Sequence, residues 1–158
     1  MSSSITLQVT ITPPIISAFS ATSTVPIQVS VHNPSDAPIT VLHWGTPLDP
    51  SANVLGLFEL HDTTENQPVA LPTIQVSRLM PPSVEDLVEI PAGSVIQEEV
   101  TLSPVPLTMG HEYSVKAKGI WHWVWEGRRE DVTTEMLERL GDARRGEFSS
   151  NVVPLHIS

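Results

Sequence analysis

The sequence predicts an all-β domain: an antiparallel β-sandwich with Greek-key connections and one short helix. Three observations carry that expectation. Val, Ile and Thr make up 43 of the 158 residues and gather in short runs where apolar and polar side chains alternate, the period of a strand with one buried and one wet face. Fifteen prolines, spread through nearly the whole chain, leave little room for long helices. Clusters of Pro, Gly, Asn, Asp and Ser separate the runs at spacings near 8–12 residues, the rhythm of a sandwich or barrel.

The elements follow in order. Residues 5–11 place Ile5, Leu7, Val9 and Ile11 on one face, and Pro13-Pro14 ends the run. Residues 25–31 turn Val25, Ile27, Val29 and Val31 inward, before a turn at Asn33-Pro34-Ser35-Asp36. Further strands are expected over 39–44, 55–61, 74–79, 88–90, 95–102, 111–125 and 152–157. Ile5, Val29, Val31, Val41, Phe58, Leu60, Val115 and Ala117 are expected in the core. Residues 131–140 break the pattern: Val132, Met136, Leu137 and Leu140 share a helical face, Asp131 suits an N-cap, Glu135 and Arg139 pair at i,i+4, and Gly141 suits the stop. So short a helix must pack on something. No repeat and no linker divides the chain, which predicts one domain over 1–158.

Charge narrows the partners. Eighteen Asp and Glu against eight Lys and Arg give a net charge of −10, with no basic stripe to follow a phosphate backbone. Nucleic acid and anionic membranes are therefore not expected partners. No apolar run approaches the ~20 residues that span a bilayer. Proline at the middle position disqualifies Asn33-Pro34-Ser35 as a glycosylation sequon. The N-terminus lacks a basic region followed by an apolar one, and the chain has no cysteine, so a cytoplasmic location is expected. No nucleophile elbow, phosphate loop or dinucleotide fingerprint occurs. Neither a catalytic residue nor a cofactor is expected. His32, His43 and His61, with Asp49, Glu59 and Asp62 near them in sequence, would need to share one face to hold a metal. Surface histidines are expected instead.

Several short motifs run through the chain from Ile27 onward: Val31-His32-Asn33-Pro34-Ser35-Asp36, then Leu42-His43-Trp44-Gly45-Thr46-Pro47-Leu48, with its W-x-T-P-L element, and Phe58-Glu59-Leu60. Asp86 to Gly93, Gly110-His111-Glu112-Tyr113-Ser114-Val115 and Ser150-Asn151 continue the series. Together these resemble the N-terminal immunoglobulin-like β-sandwich domain of deuterolysin-type (aspzincin) metallopeptidases, over about three-quarters of the chain. The resemblance implies an immunoglobulin-like sandwich without catalysis, because that family's chemistry sits in a zinc domain absent here. His111-Glu112-Tyr113-Ser114-Val115 opens like the zinc motif H-E-x-x-H but has Val115 where the second ligand belongs, on a strand rather than a helix. Zinc binding and peptidase activity are therefore not expected. Against that family's pattern, residues 120–147 read as an inserted hairpin and helix between the last two strands, without which the sandwich would still close.

The insertion carries the candidate binding site: Trp121, His122, Trp123, Trp125, Glu126, Arg128, Arg129 and Met136. Unbroken alternation puts the three indoles on one face. They form either core beneath the helix or a groove for a ligand or partner, Trp beside Arg being common at binding hot spots. If the outer indoles form a contact surface, removing Trp123 and Trp125 would cost little stability. Two functional readings follow. The first is a non-catalytic protein-binding module, such as a peptidase inhibitor or a chaperone-like partner, gripping a peptidase by fold analogy or a second copy as a homodimer. The second is a small-molecule-binding protein or enzyme with a pocket at the Trp hairpin. A deep pocket holding His122 or Glu126 would favour the second, and a flat apolar patch the first.

Overall fold

The computed structural model describes residues 7–12, 25–74, 78, 82–102, 107–108, 110–139 and 144–156. Among these the strands are Gln8–Ile11 (β1), Val25–His32 (β2), Ile39–Leu42 (β3), Phe58–Asp62 (β4), Gln67–Val69 (β5), Leu87–Ile90 (β6), Val95–Leu102 (β7), Glu112–Glu126 (β8), Arg144–Ser149 (β9) and Val153–His156 (β10), with one α-helix, Thr134–Arg139 (α1). One sheet runs β1-β2-β7. The other runs β5-β4-β8-β3-β6, and β9 and β10 also pair with β8. Every described pairing is antiparallel. The chain crosses to the second sheet at β3, returns to the first at β7 and crosses again at β8, as a sandwich requires.

Alternation decides what each strand buries. In β2, Val25, Ile27, Val29 and Val31 are fully buried while Gln28 faces water. They meet Val41, Phe58, Leu60, Tyr113, Val115 and Ala117 of the other sheet in one core. Of the expected core residues, Ile5 lies outside the described residues. The other seven are buried. The turn after β2 is fastened from inside. Asn33 is buried, and its Nδ2 donates to Ala37 O at 2.8 Å and Ile90 O at 3.0 Å. Its Oδ1 accepts the Ser35 N–H and hydroxyl. One amide thus ties the β2–β3 turn to the end of β6, which is the work of the Asn-Pro-Ser motif.

Several boundaries differ from expectation. The third strand stops at Leu42, so Trp44 sits in the following turn. A 3₁₀ turn at Ala52–Val54 precedes β4, and the short β5 was hidden by its Pro68. Of the strand expected over 74–79, Ile74 is not in a strand, Arg78 is not in a strand, and the rest lies outside the described residues. The helix begins later than expected. Asp131 closes a 3₁₀ turn at Arg129–Asp131 by accepting the Arg128 N–H, and Thr133 caps α1 by accepting the Met136 N–H at 3.1 Å. Leu140 and Gly141 lie outside the described residues.

Residues 120–126 prove to be part of the sheet. Gly119 pairs with Phe148 as the resemblance implies. Beyond it, however, β3 pairs with β8 only at Val124, Trp125 and Glu126, and β6 is held through β3. The front of the supposed insertion therefore carries two strands, which corrects the expectation that the sandwich closes without it. Gly119 is required by its partner: a Cβ there would lie 2.7 Å from the Phe148 ring, which covers the strand in place of a side chain.

Candidate functional site

The decisive local feature is a bulge in β8. Trp121 pairs with Gly146 and Val124 with Arg144, so three steps along β8 answer two along β9. The extra residue reverses the phase of alternation. Before it, Tyr113, Val115, Ala117 and Trp121 point into the sandwich; after it, Val124 does. Trp123 and Trp125 turn to the outer face of the sheet instead. The expected single-faced ladder is thus split.

Each part meets a different environment. Trp121 is core, 1% exposed, with the Phe148 ring 4.9 Å away. Trp125 is buried beneath Val132 and Leu137, beside Leu42, Trp44 and Leu87, in a second apolar cluster on the outer face. Met136 and Trp123 are half-buried at its margin. Trp125 therefore belongs to the structure of the domain, contrary to the expectation that its removal costs little.

Trp123 and His122 line an open groove of about 1,090 Å³ on the outer face of the second sheet. Lys116, Lys118 and Ile120 lie along its floor, Trp44 and Gly45 with Leu55 to Leu57 form one wall, and Glu147 and Ser149 of β9 form the other. Trp44 meets Trp123 edge-on at 6.3 Å, and the Arg78 guanidinium covers Trp44 at 5.5 Å. Asp49 holds this wall from below. Its buried carboxylate accepts the Gly45 and Ser51 N–H groups, each at 2.9 Å, and pairs with Arg78. Burial first, and the nearby Arg145 second, hold the His122 imidazole below its ordinary pKa.

The remaining predicted site residues lie apart from the groove. Glu126 is exposed and paired with Arg144 at 2.6 Å. Arg128 is paired with Glu130 at 3.0 Å. Arg129 donates to the Val84 carbonyl, fastening the outer turn to the start of β6. Sequence reading missed Trp44, Arg78, Lys116, Lys118 and Ile120 as site residues. The signal for three of them was present: 116, 118 and 120 alternate onto the outer face of one strand, which places both lysines of the chain together.

The candidate metal histidines are dispersed. His32 bonds Gln8 in the first sheet, His61 bonds Asn66 in the second, and His43 lies 3.7 Å from Asp86. His111 Nδ1 instead donates to Asp62 at 2.8 Å. Burial alone would raise the Asp62 carboxyl, but the His111 bond and the main-chain N–H groups of Glu65 and Thr64 outweigh it and hold the group below its ordinary 3.8. A depressed carboxyl contributes stability above its unfolded pKa and loses it as pH falls through the folded one. Asp62→Asn should therefore lower stability at pH 7 and flatten the loss below pH 3.8, as read by denaturant titrations across pH.

The family follows from a comparison over nearly the whole chain: the model of the immunoglobulin-like domain matches residues 16–157. The chain belongs to the immunoglobulin-like domain family. This immunoglobulin-like domain is also similar to a protein of Arthroderma benhamiae described as an uncharacterized secreted protein, with 42% identity over 131 residues. The match covers 80% of this chain and 66% of the relative. The cytoplasmic location expected from the N-terminal residues is overturned by this relative, which is named as secreted.

Proposed function

We propose that this domain is a non-catalytic extracellular binding module whose ligand lies in the groove over the β8 bulge. The observation that carries the reading is the groove itself. It presents the half-buried Trp123 and the exposed Ile120 beside three cationic side chains, a concave mixture of aromatic surface and convergent polar groups suited to a ligand. It is open rather than enclosed, which favours an extended ligand over a small molecule. General acid–base chemistry needs titratable groups oriented on one another. Among the described residues His122 has no hydrogen-bonded carboxylate, and Glu126 lies outside the groove. The secreted relative supports the extracellular location. The finer likeness to the peptidase-associated sandwich rests on short turn motifs, and it adds a peptidase as a partner class by analogy.

The reading is tested by tryptophan fluorescence against panels of peptides and oligosaccharides, with the wild type and Ile120→Glu side by side. Ile120 is 41% exposed, so the substitution should leave the fold intact. A ligand that changes the emission of the wild type and not of the variant supports the groove. Binding that the variant leaves unchanged moves the site elsewhere.

A further inference from the structure

Resting on that reading of the groove, we propose that its occupant is an extended acidic peptide segment that pairs with the main chain at Ile120 and sets carboxylates against Lys116 and Arg145. Two independent features point there. The first is a window in the sheet. On the flank of β8 that faces β3 and β4, pairing with β4 ends at Ala117 and pairing with β3 begins at Val124. The Lys118 N–H donates across this flank to Leu57 O at 2.8 Å. Main-chain groups two residues apart in an antiparallel strand point the same way, so the Ile120 N–H and C=O face the window, where no described strand lies. A polypeptide can meet such an edge with its own N–H and C=O, and its alternate side chains would then fall towards the Trp44–Trp123 corner and the cations.

The second feature is charge. In a chain of net charge −10, four of the eight basic residues gather at this site: Arg78, Lys116, Lys118 and Arg145. Asp49 neutralises Arg78, and Glu59 neutralises Lys118. Lys116 and Arg145 make no close ion pair among the described residues, although Glu59 lies across from Lys116 in the sheet and attracts it as well as Lys118. Glu147 is the carboxylate of the groove lining, and counting Asp49, Glu59 and Glu147 against Arg78, Lys116, Lys118 and Arg145 leaves one positive charge at the site, while the rest of the domain repels acidic chains. An acidic segment is steered to this one place, and the attraction weakens with salt. A polysaccharide acid would satisfy the cations but leave the Ile120 edge without a repeating main-chain partner.

The experiment uses the full chain and three probes: a ten-residue peptide of alternating Glu and Leu, the same peptide with Gln for Glu, and an oligogalacturonate. Affinity is read by tryptophan fluorescence and calorimetry at about 50 mM and about 500 mM salt, and the Ile120 amide is followed by hydrogen exchange. The expected result is that the Glu peptide binds about tenfold more tightly than the Gln peptide, a difference of about 1.4 kcal/mol. High salt or the double variant Lys116→Gln, Arg145→Gln should abolish that preference, and the bound Glu peptide should slow exchange at Ile120. Equal affinity for the two peptides overturns the acidic class and leaves the groove reading standing. Binding of the oligogalacturonate without protection at Ile120, in preference to the Glu peptide, overturns the peptide assignment. If no probe perturbs the tryptophan emission, the acidic-peptide proposal fails, while the groove reading stands or falls on the wider panels of peptides and oligosaccharides.

Discussion

Trp121→Ala should cost about 3–5 kcal/mol, the range for removing a large aromatic from a core, whereas Trp123→Ala should cost about 1–2 kcal/mol, the worth of an aromatic pair together with partial burial. The two indoles are two residues apart, and regular alternation would make them equivalent. The bulge makes them opposites. Trp121 is sealed between the sheets against Phe148, with 1% of its surface exposed. Trp123 stands on the outer face with one edge towards Trp44 and another towards the groove. Set against the roughly 5–15 kcal/mol that holds a domain together, the first loss removes much of the stability and the second little. Ligand binding should respond in the reverse order, because only Trp123 reaches the groove. Urea titrations of the two variants check the first statement. Equal losses would mean that both indoles are core and that the bulge does not divide them.

Asp49→Ala should cost roughly 2–3 kcal/mol, as expected when a buried acceptor that serves two main-chain donors and a partly exposed guanidinium is removed, and it should weaken groove binding as well. The Asp49 side chain is fully buried, and it serves two main-chain donors together with Arg78. Its loss leaves the Gly45 and Ser51 N–H groups without their acceptor and frees the Arg78 guanidinium that covers Trp44. Asp49→Asn keeps an acceptor oxygen but not the charge, so it should fall between Ala and wild type. Thermal melts followed by groove titrations separate the two effects. An Asp49→Ala protein that melts like the wild type would show that the wall stands without this carboxylate. The substitution also distinguishes roles: Asp49 was a candidate metal ligand by sequence proximity, and the structure makes it the support of a loop.

How much of this was legible beforehand depends on the range of the interaction. Alternation in residues 25–31 named the inward side chains of β2 correctly, because a strand's two-residue period is a local property of the backbone. The Asn-Pro-Ser turn was equally visible, although its reach to Ile90 and Ala37 was not. The helical spacing around Leu137 was right about an apolar face and wrong about the cap, since Asp131 and Thr133 are both capping residues and only the preceding 3₁₀ turn separates their tasks. The location was misjudged for a different reason: a secreted relative is a fact about other chains, outside what these residues state.

The sequence by itself determined the class of the fold and the inner faces of its regular strands, through the spacing of Val, Ile and Thr between proline-bearing turns. Only the tertiary structure decided the site. A single extra residue in β8, counted against β9 rather than within its own strand, turned Trp123 and Trp125 outward. Arg78 and Asp49, brought in from distant loops, then completed a wall beside them. Periodicity is written between neighbours along the chain, but a bulge and a groove exist only in the register between segments, where one step of mismatch reverses every side chain that follows.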